Sequence, residues 1–325
     1  MKKIKYLCIF LSISIILLIS CDSKIIQTFN LLENYDSTPP KLKYIESNSP
    51  YSIEILFDEA LANKTSSSFY LDKLKKTNYK INKNKLTYFQ QDELIPGEKH
   101  NLVIKVEDLN GNSTQVESEV YTKNTNLAEV LISEVSTKGT SSNCDKVELV
   151  VTKSGSIAGI VVSDGFNQNY EDRCILPNIL VNEGDFIVIS FKDNKNEDYL
   201  ISENKNGLSS NNGCLLVLDS PSFNAKVLDC IIYSNKTSEN CEGFANEKTL
   251  EIAKTLSSIG MWENSYPLSN EAIDTTYETS TRTINRRVIN NYFFVDTDSK
   301  NDFYITVTKG NSFGSINNEN EYLID

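Results

Sequence analysis

Apolar and polar side chains alternate along two stretches in the first third of the chain, residues 52–57 and 102–107. This period of two predicts strands with one buried face. Shorter stretches of the same kind lie at residues 42–46, 79–81, 85–89 and 114–121. A Pro-Gly dipeptide at 96–97 and an Asn-Gly dipeptide at 110–111 favour chain reversals between strands. Residues 39–122 are therefore predicted to form a β-sandwich of short antiparallel strands.

The second part of the chain begins after a polar stretch at residues 123–126, which predicts a linker. Strand-like runs follow from residue 128 onward, so residues 127–325 are predicted to form a second β unit. Residues 246–259 carry apolar side chains at helical spacing, and a glycine follows them. This pattern predicts a short helix inserted between strands. Together with the Trp262 that comes after it, the helix is predicted to cover an edge or end of the sandwich.

The first unit resembles bacterial Ig-like domains at both of its ends. The opening, TPPKLKYIESNSPYSIEILFDEAL at 38–61, resembles their Pro-Pro entry and first two strands. The stretch EDLNGNSTQVESEV at 107–120 resembles their closing turn and last strand. Since such domains act as spacers or binding modules, the resemblance implies the same for residues 39–122 and supplies no site.

The second unit resembles the lamin-tail domain, an Ig-like β-sandwich. The resemblance depends on the order of six short motifs. They are ISEV at 132–135, VEL at 147–149, Gly159 with Ser163-Asp164, GDFIVI at 184–189, DCIIY at 229–233 and SFGSIN at 312–317. Ile160 and Phe313 replace a tryptophan and a proline of the family pattern, and the segments 192–213 and 234–281 are longer than usual. The implied fold is all-β: two tandem Ig-like β-sandwiches after a signal peptide, with a short helix inserted in the second.

The N-terminus, MKKIKYLCIFLSISIILLISC, has three lysines followed by an apolar run that is short for a membrane-spanning helix. Its last four residues resemble the lipobox of bacterial lipoproteins. We therefore predict a signal peptide at 1–20, lipidation of Cys21 and a tether at 21–38. The predicted location is the cell envelope, anchored by lipid to a bacterial membrane, with the outer membrane or cell surface favoured over the inner membrane. An ordinary secretory signal and an uncleaved anchor are the alternatives.

The charge of the chain limits its partners. The full sequence has a net charge of −12, and loss of residues 1–20 removes three lysines and no acid, which leaves −15. Such a surface repels phosphate backbones, so nucleic acid is excluded as a predicted partner. The predicted partners are the membrane, through the N-terminal lipid, and an envelope or extracellular protein or polysaccharide.

Five cysteines remain beyond Cys21, all in the second unit. They are Cys144, Cys174, Cys214, Cys230 and Cys241. Disulfides are candidates in an exported protein, but an odd number leaves at least one thiol free or paired between chains. Spacing does not fix the connectivity. Zinc is a weaker interpretation because the sequence has no CxxC pair and no histidine near these residues.

Three aspartates follow an arginine-bearing stretch near the C-terminus, in the sequence RRVINNYFFVDTDSKNDF at 286–303. A segment of this form recurs in the lamin-tail pattern. The first interpretation is a structural turn, in which carboxylates accept backbone amides and an arginine holds one of them. The alternative is a Ca²⁺ loop, because Asp296, Asp298 and Asp302 have the spacing of oxygen ligands. The central glycine and the terminal glutamate of such loops are missing, so the structural turn is favoured.

No catalytic constellation stands out in the sequence. His100 is the only histidine, it lies at a strand entrance that is commonly solvated, and no phosphate-binding glycine loop occurs. We therefore predict a non-catalytic binding or structural module of the envelope with no cofactor, Ca²⁺ excepted as a candidate. The alternatives are a hydrolase or metal-dependent enzyme with its site in the two long insertions, and a calcium-stabilised adhesin.

Overall fold

The computed structural model describes residues 36–165, 173–191, 198–202, 207–222, 224–263, 269–290 and 293–323, and the side chain of residue 64 is not described. In these ranges the chain is built mainly of strands with a single α-helix. The prediction of an all-β fold with an inserted helix is confirmed. The predicted signal peptide, Cys21 and nearly all of the predicted tether lie outside the described residues.

Eight strands form the first sandwich. They are Leu42–Ser49 (β1), Ser52–Phe57 (β2), Ser68–Leu71 (β3), Leu74–Lys76 (β4), Tyr79–Asn82 (β5), Lys85–Phe89 (β6), Lys99–Glu107 (β7) and Ser113–Tyr121 (β8), with a 3₁₀ turn at Lys64–Ser66. They pair antiparallel in two sheets, β1-β2-β6-β5 and β4-β3-β7-β8. The alternating apolar residues of β2 and β7 face inward and are almost fully buried. Phe69 stacks on Tyr88 at the centre of this core, with ring centroids 4.7 Å apart.

The second sandwich contains more strands and a second core. Its elements are Glu129–Ser136 (β9), Lys146–Lys153 (β10), Gly155–Ser156 (β11), Val161–Asp164 (β12), Arg173–Ile175 (β13), Leu180–Val181 (β14), Phe186–Ser190 (β15), Leu200–Ile201 (β16), Asn212–Leu218 (β17), Val227–Ser234 (β18), Glu247–Ser258 (α1), Ile273–Asp274 (β19), Ile284–Arg286 (β20), Val288–Ile289 (β21), Phe293–Phe294 (β22) and Phe303–Ile305 (β23). Short 3₁₀ turns lie at Cys241–Gly243, Ser269–Glu271 and Lys300–Asp302.

Two larger sheets enclose this second core. One has the order β16-β15-β10-β9-β20-β23 and the other the order β13-β12-β17-β18-β19. Strands β19 and β23 are therefore the last strands of their sheets. Both of these edge strands line one surface groove.

The inserted helix α1 lies where the sequence predicts it. Asn246 is the N-cap, and its side chain accepts a hydrogen bond from the Thr249 amide at 2.7 Å. Leu250, Ile252, Ala253 and Leu256 turn their apolar side chains into the second core. Trp262 joins the same core and donates its indole N–H to the Glu271 carbonyl at 3.0 Å. The helix and the tryptophan therefore extend the hydrophobic core, as expected for a cover.

The predicted linker at 123–126 is tied to the second sandwich. The Asn124 amide donates to the carbonyls of Ser156 and Ala158 at 2.9 and 3.0 Å. Close by, Gly97 has a φ of +73°, and a Cβ at this position would lie 2.6 Å from the Gly159 nitrogen. Only glycine fits this conformation and this approach of two backbones.

Candidate functional site

Arg286, at the end of β20, organises the turn that contains the three aspartates. Its side chain is 1% exposed, and its Nε donates to the Ile132 carbonyl at 2.7 Å. One terminal nitrogen donates to the Val295 carbonyl and the Asp296 carboxylate at 2.9 and 3.0 Å. The other donates to Asp229 at 2.6 Å. A guanidinium charge buried this deeply requires hydrogen-bond and ion-pair partners. Asp296 is one of these partners.

Asp229 is the buried counter-ion of Arg286. Besides the guanidinium, its carboxylate accepts the backbone amides of Ile132 at 2.5 Å and Cys230 at 2.8 Å. Burial raises the pKa of Asp229 to about 6, although the Arg286 charge acts in the opposite direction. The pair therefore joins β9, β18 and β20 through one ion pair and its hydrogen bonds.

Asp302 closes the turn from the other side. Ser299 caps the Lys300–Asp302 turn, and Asp302 accepts the Ser299 amide in return, which completes a capping box. The same carboxylate accepts the Thr297 amide at 2.7 Å and the Thr297 hydroxyl at 2.6 Å. Asp298 has a φ of +52°, and partial burial followed by the charge of Asp296 raises its pKa. Asp302 is thus satisfied within the turn, whereas one oxygen of Asp296 accepts a hydrogen bond from Arg286 of β20.

The calcium interpretation of these aspartates stays a prediction. In the part of the chain that the structure describes, a different acidic group has one carboxylate oxygen from each member within 4.8 Å of the others: Asp36, Glu59 and Asp108. Asp108 belongs to the closing turn of the first sandwich and accepts the amides of Asn110 and Asn112 at 2.8 Å each. The sequence did not indicate this group, because its members are separated by dozens of residues.

Melting curves with added Ca²⁺ and with chelator test both acidic groups. We expect the midpoint of the wild-type protein to be the same in the two conditions, because the turn at Asp302 is satisfied by its own hydrogen bonds. A Ca²⁺-dependent rise that is lost in Asp298→Asn would instead establish a metal loop there. A rise that survives in Asp298→Asn and is lost in Glu59→Gln would place the ion in the first sandwich.

Two buried glutamates of neighbouring strands meet the C-terminal segment 312–317, here named the closing segment. Glu134 of β9 and Glu148 of β10 are opposite each other in the sheet register, and both are fully buried. Glu134 accepts the backbone amide and hydroxyl of Ser312 at 2.9 Å each, and Glu148 accepts the Gly314 amide at 2.5 Å. These two residues are the glutamates of the ISEV and VEL motifs.

The burial of Glu148 changes its protonation. Burial raises the pKa of Glu148 to about 8, and the nearby charge of Glu134 adds to this shift, whereas the Gly314 amide opposes it. Burial also raises the pKa of Glu134, against the hydrogen bonds from Thr283 and Ser312. At neutral pH Glu148 is therefore mainly protonated, which relieves the repulsion of two opposed carboxylates.

An open groove of about 500 Å³ lies between the edge strands β19 and β23, here named the edge groove. One wall comes from Lys236 and residues 272–277, which belong to the second long insertion. The other wall comes from Arg287, residues 300–305 and the C-terminal pair Glu321 and Tyr322. The groove thus brings together a predicted contact surface and the turn of the aspartates.

Each cation of the edge groove is paired with a carboxylate. The pairs are Lys236 with Asp274 at 3.6 Å, Lys300 with Glu271 at 3.4 Å and Arg287 with Glu321 at 3.1 Å. Burial would raise the pKa of Asp274, but hydrogen bonds from Thr276 hold this pKa below its usual value. The groove is therefore balanced in charge and rich in hydrogen-bonding groups.

Aromatic rings line the same groove. Tyr277 and Tyr322 lie with ring centroids 5.5 Å apart and a tilt of 34°. The Arg282 guanidinium lies 4.4 Å from the Tyr322 ring centre, and that of Arg287 lies 5.2 Å from the Tyr304 ring centre. Tyr277 is 36% exposed, so part of its surface is open to a ligand.

His100 is buried, which corrects the expectation of a solvated position. It is 5% exposed within β7, where one face of the strand lies against the core. Its ring nitrogens lie 2.7 Å from the Asp72 carboxylate and 3.1 Å from the Thr122 hydroxyl. An acid, a histidine and a hydroxyl are thus in line, but Thr122 is only 3% exposed and gives a substrate no access. The arrangement connects β7 to the end of the first sandwich.

Among the cysteines of the second sandwich, four are free thiols in this structure: Cys144, Cys214, Cys230 and Cys241. Cys174, Cys214 and Cys230 are buried in the second core, whereas Cys144 and Cys241 are partly exposed. Burial raises the pKa of the Cys214 and Cys230 thiols well above the ordinary value. These buried thiols therefore behave as small apolar side chains, and the candidate disulfides stay a prediction.

Within the described residues, no helix is both long and apolar enough to cross a membrane.

Residues 128–206 and 198–305 match a family model described as "TP_1001_2nd: protein second domain". The two matched segments together span more than half of the 325 residues. The chain belongs to this family. The TP_1001 second-domain match begins one residue before β9 and ends with β23, so it contains Arg286, both buried glutamates and most of the edge groove.

Other comparisons add little to the TP_1001 second-domain match. No curated protein matches this chain. A solved structure, dimeric latent PorU from Porphyromonas gingivalis, is similar over 63% of this chain at 11% identity and a TM-score of 0.20. The chain covers 19% of that structure.

Proposed function

We propose that this protein is a bacterial envelope lipoprotein whose second sandwich is a non-catalytic binding module, with the edge groove as its contact surface. The observation that carries the proposal is the character of that groove. It is open, it is lined by partly exposed aromatic rings, and its charged groups are paired with one another. Concave surfaces with these groups are typical of ligand sites.

The distribution of perturbed carboxylates favours binding over chemistry. Acid–base catalysis uses groups whose pKa is moved toward neutrality and which face a cleft. The carboxyls with a strongly raised pKa, such as Glu148 and Asp229, are fully buried and serve hydrogen bonds of the fold. Asp274, which does line the groove, has a lowered pKa. A hydrolase with its site in the second insertion would need a carboxyl group of raised pKa that faces the groove.

The lamin-tail resemblance supports an Ig-like binding module more specifically. Glu134, Glu148 and Asn317 come from three separate motifs and meet around the closing segment. The Asn317 amide donates to the carbonyls of Ser133 at 3.0 Å and Arg286 at 2.8 Å, so it joins β9 and β20. Motifs whose residues meet in one hydrogen-bond network support the resemblance more strongly than motifs that are matched singly.

The proposed location rests on the first 21 residues. A single acyl chain binds membranes weakly, whereas the several chains on a bacterial lipoprotein cysteine hold a soluble body firmly at the bilayer surface. The proposed partner is an envelope or extracellular protein or polysaccharide, reached from a membrane anchor on the outer membrane or cell surface.

Replacing Cys21 with serine tests the anchor. In the wild-type protein, mass spectrometry of the mature N-terminus is expected to find a lipid-modified Cys21, and the protein is expected to stay in the membrane fraction. Cys21→Ser is expected to lose the lipid and to leave that fraction, while Cys241→Ser serves as a control that keeps both. An unmodified wild-type N-terminus with release into the medium would contradict the proposal.

A calcium-stabilised adhesin is the second candidate function. The group of Asp36, Glu59 and Asp108 favours it, since three carboxylates that converge at one end of a sandwich resemble the oxygen ligands that Ca²⁺ requires. Desolvation, followed by the charges of Asp36 and Asp108, raises the pKa of Glu59, as expected where carboxylates lie close together. The Glu59→Gln melting experiment described above distinguishes this candidate from the first.

A further inference from the structure

The edge groove has features that specify the chemistry of its ligand. Tyr277 and Tyr322, whose rings lie 5.5 Å apart at a tilt of 34°, present apolar ring surface, and the hydroxyl of each ring adds a polar edge. The guanidinium of Arg282 lies over the Tyr322 ring and holds this ring in position. A ligand with one apolar face and polar edges matches such a surface.

The charges of the groove favour a neutral ligand. The three cations that line it each lie within 3.6 Å of a carboxylate, which neutralises most of their positive charge. Paired side chains still have capacity for hydrogen bonds, because a guanidinium has five donors, an ammonium three, and a carboxylate several acceptor positions. Hydroxyl groups, which both donate and accept, can use this capacity without breaking the pairs.

The free edge of β23 is closed to an added peptide strand. The Tyr322 amide donates to the Ile305 carbonyl at 2.8 Å, and Thr306 forms a bridge with Glu321. The protein's own C-terminal residues therefore occupy the backbone positions that a bound peptide would need. Strand addition is the usual way in which the edge of a β-sandwich takes a peptide, so a saccharide is the better match.

We propose that the edge groove binds a neutral saccharide segment, with a sugar ring stacked on Tyr277 and its hydroxyls bonded to the ion-paired side chains around it. This inference rests on the proposed function, because it assigns a ligand class to the same groove. A volume of about 500 Å³ suits a short segment of a longer chain. The surrounding negative charge of the protein, −12 for the full sequence, also disfavours acidic polysaccharides.

Saccharide binding is tested with the lipidated full-length protein in detergent micelles. The probes are neutral glucan, mannan, galactan and N-acetylglucosamine oligomers, with a sulfated glucan and an extended peptide as competing classes. We expect at least one neutral oligomer to bind, with an affinity that changes little with salt. Tyr277→Ala is expected to weaken it about tenfold, which corresponds to ~1.4 kcal/mol.

Two control variants make the result specific. Tyr277→Phe keeps the ring and should retain most of the affinity, while Tyr51→Ala removes an exposed tyrosine of the first sandwich and should leave it unchanged. Binding of the sulfated glucan or the peptide alone would overturn the saccharide assignment and keep the groove as a binding site. Equal affinity of Tyr277→Ala and wild type, or no binding of any neutral oligomer, would also overturn it. The anchoring part of the proposed function is tested separately, by the Cys21 experiment.

Discussion

Replacing Arg286 with methionine is expected to destabilise the second sandwich by about 3–5 kcal/mol, the cost of leaving a buried charge without its partner. The guanidinium donates four hydrogen bonds. Two go to the backbone carbonyls of Ile132 and Val295, and two go to the carboxylates of Asp296 and Asp229. Methionine fills a similar volume but offers no donor. Asp229 would then remain fully buried with a charge that only backbone amides oppose. Denaturant unfolding of the full chain, followed through the single Trp262 in the second core, measures the loss.

Arg287 supplies a matched control for this substitution. It is the next residue, it also carries an ion pair, with Glu321, and its side chain is 41% exposed. Because exposed pairs contribute about 0–1 kcal/mol, Arg287→Met should have a small effect. Adding Asp229→Asn to Arg286→Met should recover part of the loss, since the uncompensated charge is removed and an oxygen for the Ile132 amide is kept. Equal effects of Arg286→Met and Arg287→Met would contradict the role given to Arg286.

Glu148→Gln is expected to stabilise the protein near pH 8 and to flatten its pH dependence. The pKa of Glu148 is about 8 in the folded protein, above the ordinary 4.5 of the unfolded chain, because of burial and the charge of Glu134. The folded state therefore binds more protons than the unfolded state between these values. The contribution of Glu148 to the free energy of unfolding is full below pH 4.5 and is lost progressively as the pH rises toward 8. At about 1.4 kcal/mol for each pH unit, the upper limit of the loss is roughly 5 kcal/mol.

The pH dependence is measured as the free energy of unfolding between pH 5 and pH 9. Glutamine stays neutral in both states, so the difference between Glu148→Gln and wild type should grow in favour of the variant as the pH rises. Glu117→Gln, on an exposed position of β8, should follow the wild-type curve. A wild-type curve that rises across this range and a variant curve parallel to it would show that Glu148 is ionised in the folded protein.

Local sequence pattern predicted those parts of the fold whose neighbours in sequence are also neighbours in space. The alternation in β2 and β7 found core strands, because each second side chain meets the same buried face. The helix was predicted from apolar side chains at helical spacing and from the glycine after Ile259, which are local signals. Asn246, which the prediction placed inside the helix, is its N-cap. Phe303, which directly follows the aspartate turn, enters the second core.

The same reasoning failed where a distant segment covers a strand. His100 was expected to be solvated because it follows a turn, yet Thr122 and Asp72 bury it from other strands. The glutamates of β9 and β10 are polar residues at strand positions, which alternation assigns to solvent. In the fold they are buried, because the closing segment, more than 160 residues later, covers that face. A period of two gives no information on such covering.

The edge groove was also beyond local prediction. Its walls come from residues 272–277 and 300–322, which meet only because β19 and β23 end neighbouring sheets. The sequence indicated only that the second long insertion was a candidate contact surface. It did not indicate that tyrosines from both walls would meet there.

Cross-linking in living cells tests the central claim most directly, namely that the edge groove is occupied by an envelope ligand. A photoreactive phenylalanine analogue replaces Tyr277 in the groove or, as a control, the exposed Leu74 of the first sandwich. The account predicts a membrane-associated adduct from position 277, with a mass ladder of neutral sugars, and no such adduct from position 74. Adducts of the same kind from both positions, or none from position 277 while the protein is present in the envelope, would contradict it.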